Sequence, residues 1–294
     1  MVTCKVCPRN CGTDRSQKAG YCGQSNAFRI ARADLHMWEE PCISGTRGSG
    51  TVFFSGCNLG CVFCQNFRVS HRGQGIEISA DGLIQKMLEL QEAGAHNINL
   101  VTPTHFAAQL VPLLEKLKTE LHIPVVYNTG GYEKTETLEM LAPYVDVWMP
   151  DFKFADPELA RQYAGAPDYP EVAARAIAKM FELAGQVQFD ADGIMTRGVL
   201  VRHLVLPGCR KDSMAVLDRL AATVPVGDVR LSLMSQYTPE FAKDAPFANL
   251  HRRVTTFEYE RVMAHAQALG FTGYMQQRDS ATSSYTPDFE GEDI

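Results

Sequence analysis

The chain has 294 residues, 45% hydrophobic and 21% charged, with a formal net charge of −6 at pH 7, the balance of an ordinary globular protein able to bury a substantial core. That length fits one large α/β domain with an appendage, or two modest domains, and the acidic balance argues against a polyanion such as DNA as the main partner. No stretch approaches the ~20 apolar residues of a membrane span and no charged-then-apolar leader opens the chain, so a cytoplasmic protein with no membrane association is expected.

Residues 1–25 hold Cys4, Cys7, Cys11 and Cys22 at a Cys-x2-Cys-x3-Cys-x10-Cys spacing, with little apolar sequence between them. Such a segment has too little to bury to make its own core, and a metal held by the four thiols would fold it. Structural zinc and a second iron–sulfur cluster both suit this donor set. The nine cysteines are an odd number, and eight fall within the first 64 residues. They read as metal ligands, because a reducing cytosol keeps thiols free of disulfides. Cys42 is either a supporting ligand or a lone buried thiol. The glycine-rich run 45–50 is a flexible lead-in, so a cysteine-rich module is expected over 1–45 and the main domain over 46–294.

From residue 51 onward, short β-rich runs alternate with helical patterns, the signature of βα units on a parallel sheet. Strands are expected at 52–55, 97–101, 124–128, 145–149, 198–206 and 229–234. Helices are expected at 80–93, 106–117, 135–141, 170–183, 212–221 and 256–269. In the first helix Leu83, Met87 and Leu90 give the one-sided apolar stripe of a helix packed on a sheet.

The first strand runs into Cys57, Cys61 and Cys64, a Cys-x3-Cys-x2-Cys loop. Three thiolates ligate three corners of a small cluster, and no fourth local cysteine is offered. Cubanes used only for electron transfer usually carry four cysteines, so this loop implies one iron open to a ligand. A structural zinc loop is the alternative, but zinc wants its fourth ligand close by.

With Phe63 just before the last cysteine, the loop resembles the cluster loop of the radical S-adenosylmethionine (SAM) superfamily. The stretch from Glu39 to Gly45 and on to Asn66 is similar to the pyruvate formate-lyase activating enzyme-like (PflX-type) iron–sulfur proteins. The resemblance covers most of the chain and is strongest over 39–66. It implies a partial (β/α)6 TIM-like barrel, which the six βα units support independently. It also implies a [4Fe-4S] cluster on Cys57, Cys61 and Cys64 whose open iron is chelated by the amino and carboxylate groups of SAM. One electron, from a reduced flavodoxin or ferredoxin, then cleaves SAM to methionine and a 5′-deoxyadenosyl radical. The implied partner is a glycyl radical enzyme activated by hydrogen abstraction. Modification of a small molecule or another peptide is the alternative, and a non-enzymatic redox sensor or scaffold is a third reading.

Parallel barrels carry function on loops at the C-terminal ends of their strands. After the second strand, Thr102-Pro-Thr-His105 departs from the Gly-Gly-Glu-Pro-like turn that meets the SAM amino group in activating enzymes. Thr102 and Thr104 offer oxygens there instead, and His105 either faces a ligand or starts a helix. Asn128, before a glycine pair, is an expected SAM contact. Asp151 and Lys153 resemble the activating enzymes' Asp-x-Lys element, which implies that they orient the SAM carboxylate and ribose. Arg202 and His203 lie on opposite faces of one strand, so only one points into the barrel. The Arg202-x4-Pro-Gly208 run resembles the activating-enzyme strand that meets SAM. Gln236 and Tyr237 are placed to hold adenine or substrate, Cys209 reads as a free thiol, and the polar tail 280–294 covers the mouth or moves freely.

Overall fold

Apolar runs followed by amphipathic stretches fold as βα units, and the computed structural model describes them over residues 3–275. The strands are β1 (Phe28–His36), β2 (Ser49–Phe54), β3 (Ile76–Ile78), β4 (Ile98–Val101), β5 (Val125–Thr129), β6 (Val147–Pro150), β7 (Gln188–Phe189), β8 (Met195–Leu204), β9 (Arg230–Met234) and β10 (Gly273–Met275). The helices are α1 (Pro41–Ser44), α2 (Phe67–Ser70), α3 (Ala80–Glu92), α4 (Ala107–Leu117), α5 (Thr135–Leu141), α6 (Pro157–Ala164), α7 (Tyr169–Ala184), α8 (Arg210–Thr223) and α9 (Thr256–Ala268). The sheet order is β10-β9-β8-β6-β5-β4-β2-β1-β3. Every pairing from β2 to β10 along that path is parallel, while β1 pairs antiparallel with both β2 and β3.

The six expected strands are β2, β4, β5, β6, β8 and β9, and the six expected helices are α3, α4, α5, α7, α8 and α9. The fold is thus the expected α/β partial barrel, open between edges at β10 and β3. The sequence reading missed β1, because a register shift between Ile30 and Arg32 breaks its two-residue alternation. It also missed α6, a short helix capped by the Asp156 carboxylate and ended by Gly165 in the left-handed region at φ +60°. β1 lies N-terminal to the boundary expected at residue 45, yet it is hydrogen-bonded to β2 along six residue pairs. The polar tail lies outside the described residues.

Alternation splits the barrel strands into two packing faces. Outward residues such as Leu100, Tyr127, Trp148, Val199 and Val201 are buried with Leu83, Leu110, Ile177 and Val216 of the helices. Inward residues Val126, Val147, Met149 and Leu200 instead bury Cys42 and Ile43 of α1. α1 therefore plugs the inner face, and Asn97 donates its side-chain N–H to the Ile43 carbonyl at 2.8 Å. Cys42 is here a buried core thiol, the second of its two expected roles.

This plug is load on the core as well as a floor for whatever lies above it. Replacing Ile43 by Ala is expected to lower the unfolding free energy by about 2–5 kcal/mol, since Ile43 is fully buried. Denaturant titration checks this, and a loss well under about 1 kcal/mol would show that α1 is not packed as described.

Candidate active site at the strand ends

After β2 the chain turns through Gly56, at φ +84°, into the three-thiol loop. Cys61 is buried and Cys57 and Cys64 are half-buried, and all three are free thiols. The Leu59 N–H donates to Cys57 Sγ at 3.3 Å, and Ser70 Oγ lies 3.2 Å from Cys64 Sγ. Burial pushes all three thiols up, Cys61 to about 12, while the Lys153 ammonium favours each thiolate. Metal binding at these sulfurs would release protons.

The same cavity is lined by Thr102, Asn128, Asp151, Lys153, Arg202 and Gln236, each from the C-terminal end of a different strand or its following loop, except that Asp151 and Lys153 share one. Arg202 is the hub. Its Nε donates to Asp151 Oδ1 at 3.0 Å, Nη1 to Glu39 Oε2 at 3.2 Å and Nη2 to Asn128 Oδ1 at 2.5 Å. Lys153 Nζ pairs with the other Asp151 oxygen at 2.5 Å. Burial alone would raise the Asp151 carboxyl, but Lys153 and Arg202 outweigh it and hold the group below its ordinary value. Burial alone would likewise lower Lys153, and the Asp151 charge reverses that.

Two expected contacts lie elsewhere. His203 sits on the outer face, because Arg202 takes the inner one; its Nδ1–H donates to the Phe152 carbonyl at 2.7 Å. Thr104 is turned away by the short 3-10 turn Thr104–Phe106, and its hydroxyl donates to buried Glu133 at 2.5 Å. His105 does not reach the cavity either: its Nε2–H donates to the Ser55 carbonyl at 2.7 Å, just before the three-thiol loop. Tyr237 is buried behind Phe63 and donates to the Leu250 carbonyl, so only Gln236 of that pair lines the cavity. Cys209 is a free thiol outside the cavity, as read.

The sequence reading missed Glu39 and Asn99. Asn99 Nδ2 and Asn128 Nδ2 both donate to Glu39 Oε1, at 3.0 and 3.3 Å. A usable signal existed: Asn97, just before β4, and Asn99 within it alternate with apolar residues of a parallel strand, where a fully buried amide demands a partner. Half-buried His36, the last residue of β1, and exposed Trp38, in the β1–α1 connection, stand at the cavity's edge.

The radical SAM superfamily profile matches residues 51–208, more than half of the chain. The chain belongs to the radical SAM superfamily. An uncharacterized protein of Methanocaldococcus jannaschii is 28% identical over 276 residues, covering 90% of this chain and 74% of its own length. Streptococcus suis SuiB, solved bound to the precursor peptide SuiA, superposes with a TM-score of 0.53 at 13% identity over 75% of this chain. This chain spans 46% of SuiB's length, and a likeness at that identity is one of fold. Superfamily membership implies a [4Fe-4S] cluster and SAM. The donor set fits: three unpaired thiols share a cavity with both signs of fixed charge. Among the described residues, no three His, Cys, Asp or Glu side chains converge closely enough to hold one lone metal ion. A cubane makes a different demand, each thiolate meeting its own iron.

Thr102 adopts φ +57°, a strained region for a β-branched residue and more so before proline. Thr102→Gly is expected to raise stability by about 1 kcal/mol in thermal melts; an unchanged or lower Tm would show that no strain resides there. His203 carries a second expectation. Burial pushes it down to about 4 from an ordinary 6.5, so the unfolded chain takes up that proton first. Its contribution to stability therefore falls as pH drops from 6.5 toward 4. Glu133, raised by burial to about 7 from 4.5, acts oppositely, costing stability as pH rises through that window. The informative quantity is thus the deficit of His203→Gln relative to wild type, which should shrink by up to about 1.4 kcal/mol per pH unit between those limits. A pH-independent deficit would mean that His203 titrates normally.

Proposed function

We propose that Cys57, Cys61 and Cys64 hold a [4Fe-4S] cluster and that Asn128, Asp151, Lys153, Arg202 and Gln236, with Thr102, bind SAM beside it. The observation that supports this is the meeting of the thiols and that polar set on one cavity. When bound, cluster and SAM together supply a 5′-deoxyadenosyl radical, on one electron from a reduced flavodoxin or ferredoxin.

The chain's own task is to bind and orient. A guanidinium has five N–H donors, and Asp151, Glu39 and Asn128 accept from only three of Arg202's. The remainder can meet a ligand carboxylate with no change in the network. Lys153, kept charged by Asp151, presents an ammonium close to the thiols and the ligand alike. Because these groups already hold one another, little rearrangement is needed when SAM arrives.

For the substrate we infer a glycyl residue of a partner polypeptide, a glycyl radical enzyme, whose Cα–H hydrogen is abstracted. The resemblance of the 39–66 stretch and of Asp151-x-Lys153 to activating enzymes supports this. Modification of another peptide is the second reading, supported by the fold likeness to a protein solved with its precursor peptide bound. Cys4, Cys7, Cys11 and Cys22 we propose as a separate metal-binding set, taking a second cluster, or zinc once the four thiols draw together on binding it.

The test is anaerobic reconstitution with iron and sulfide, reduction, addition of SAM, and chromatography for 5′-deoxyadenosine, with iron and zinc counted on the same sample. Wild type is expected to release 5′-deoxyadenosine, and Cys57→Ala to release none while remaining folded. Intact SAM beside a loaded, reduced wild-type cluster would favour a non-enzymatic redox role. About four irons with one zinc, against about eight irons, distinguishes the two N-terminal metals.

A further inference from the structure

The N-terminal segment touches the cluster loop directly, and the contact is concentrated on one side chain. Arg9 lies between Cys7 and Cys11 in sequence. Its Nε donates to the Asn58 carbonyl at 2.8 Å, Nη1 to the Gly165 carbonyl at 2.5 Å and Nη2 to the Ala164 carbonyl at 3.1 Å. The guanidinium also lies 4.2 Å from the Tyr21 ring centre and 5.1 Å from that of Tyr132. One cation thus ties the residue after Cys57 to the C-terminal end of α6, where unpaired carbonyls favour positive charge.

The surrounding contacts converge on the same loop. The Cys57 N–H donates to the Cys22 carbonyl at 3.3 Å. A Cβ added at Gly56 would lie 2.4 Å from that Cys22 oxygen, so the segment packs against backbone. The Gly60 and Val62 N–H groups donate to the Ala164 and Tyr163 carbonyls, and the Asn58 side chain donates to the Tyr132 carbonyl at 2.7 Å. The loop is held on one side by α6 and on the other by the cysteine segment, and Arg9 is the group that bonds to both loop and helix.

We propose that Arg9 is a positioning residue for the cluster loop, carried into place by the N-terminal cysteine segment, which thereby acts as a clamp on residues 56–62. The inference rests on the reading that Cys57, Cys61 and Cys64 hold the cluster. Arg9 touches neither reactant; it acts through the Asn58 peptide, whose carbonyl it holds, and as a cation fixed beside the residue after Cys57. A forked guanidinium is needed for this, since a lysine ammonium cannot span the Asn58, Ala164 and Gly165 carbonyls in one plane.

Arg9→Gln and Arg9→Lys test it in the full-length chain, with two independent readouts. In hydrogen exchange, the Cys57, Gly60 and Val62 amides of Arg9→Gln should exchange about tenfold faster, the size expected for losing a charge-assisted bond, with α3 and α9 unchanged. After reconstitution, Arg9→Gln should retain less iron and sulfide, its reduced cluster should give an altered electron paramagnetic resonance spectrum, and its reduction potential should move to more negative values. Arg9→Lys should recover the potential in part but not the slow exchange. Loop exchange and spectrum both matching wild type would overturn the proposal, and so would faster exchange spread over α3 and α9, which would make Arg9 a general stability residue. If wild type itself binds no iron, the cluster reading fails while the exchange readout still decides whether Arg9 positions the loop.

Discussion

The guanidinium of Arg202 joins three barrel strands and the segment beneath them. It reaches Asp151 after β6, Asn128 in β5 and Glu39 before α1, and it stands itself in β8. A buried ion of this kind is tolerable only when its partners satisfy it, because desolvation otherwise outweighs the attraction. Satisfying it fixes the strand ends relative to one another, and the polar wall of the cavity follows. Asp151 accepts from both Arg202 and Lys153, and Glu39 accepts from Arg202, so the cavity wall is an ordered set of donors and acceptors.

Below that wall the barrel interior is filled by α1, which packs against Val126, Val147, Met149 and Leu200 and accepts a bond from the buried Asn97 amide. Above it are the thiols. This layering puts the ionic network between a packed floor and the cavity, where burial strengthens its contacts. The strain at Thr102 sits on the same cavity, consistent with a backbone bent by its surroundings and held there by the bond from its N–H to the Asn128 carbonyl.

The three-thiol loop draws its path from outside the barrel. His105 holds Ser55, α6 accepts the loop's N–H groups, and Cys22 and Arg9 approach from the N-terminal segment. Residues 3–25 have almost no core of their own, yet they reach the loop with main-chain and guanidinium contacts. A segment with so little core, held in place by these contacts, couples the loop's geometry to its own order.

The six βα units, the three-thiol loop and the strand-end positions of Asn128, Asp151, Lys153 and Arg202 were all legible in the sequence, because they follow from hydrophobic period and local spacing. The choice between Arg202 and His203 was legible only as an alternation; which face was inner depended on the register of β8 against β6 and β9. Thr104 was misjudged because a short 3-10 turn, too brief for a periodic signal, swung its hydroxyl onto Glu133. Glu39, Asn99 and Arg9 act through partners between 49 and 163 residues away. Local pattern determines elements and thiol spacing; long-range pairing of buried charges and amides arises only when the chain closes, so tertiary structure alone decided those contacts.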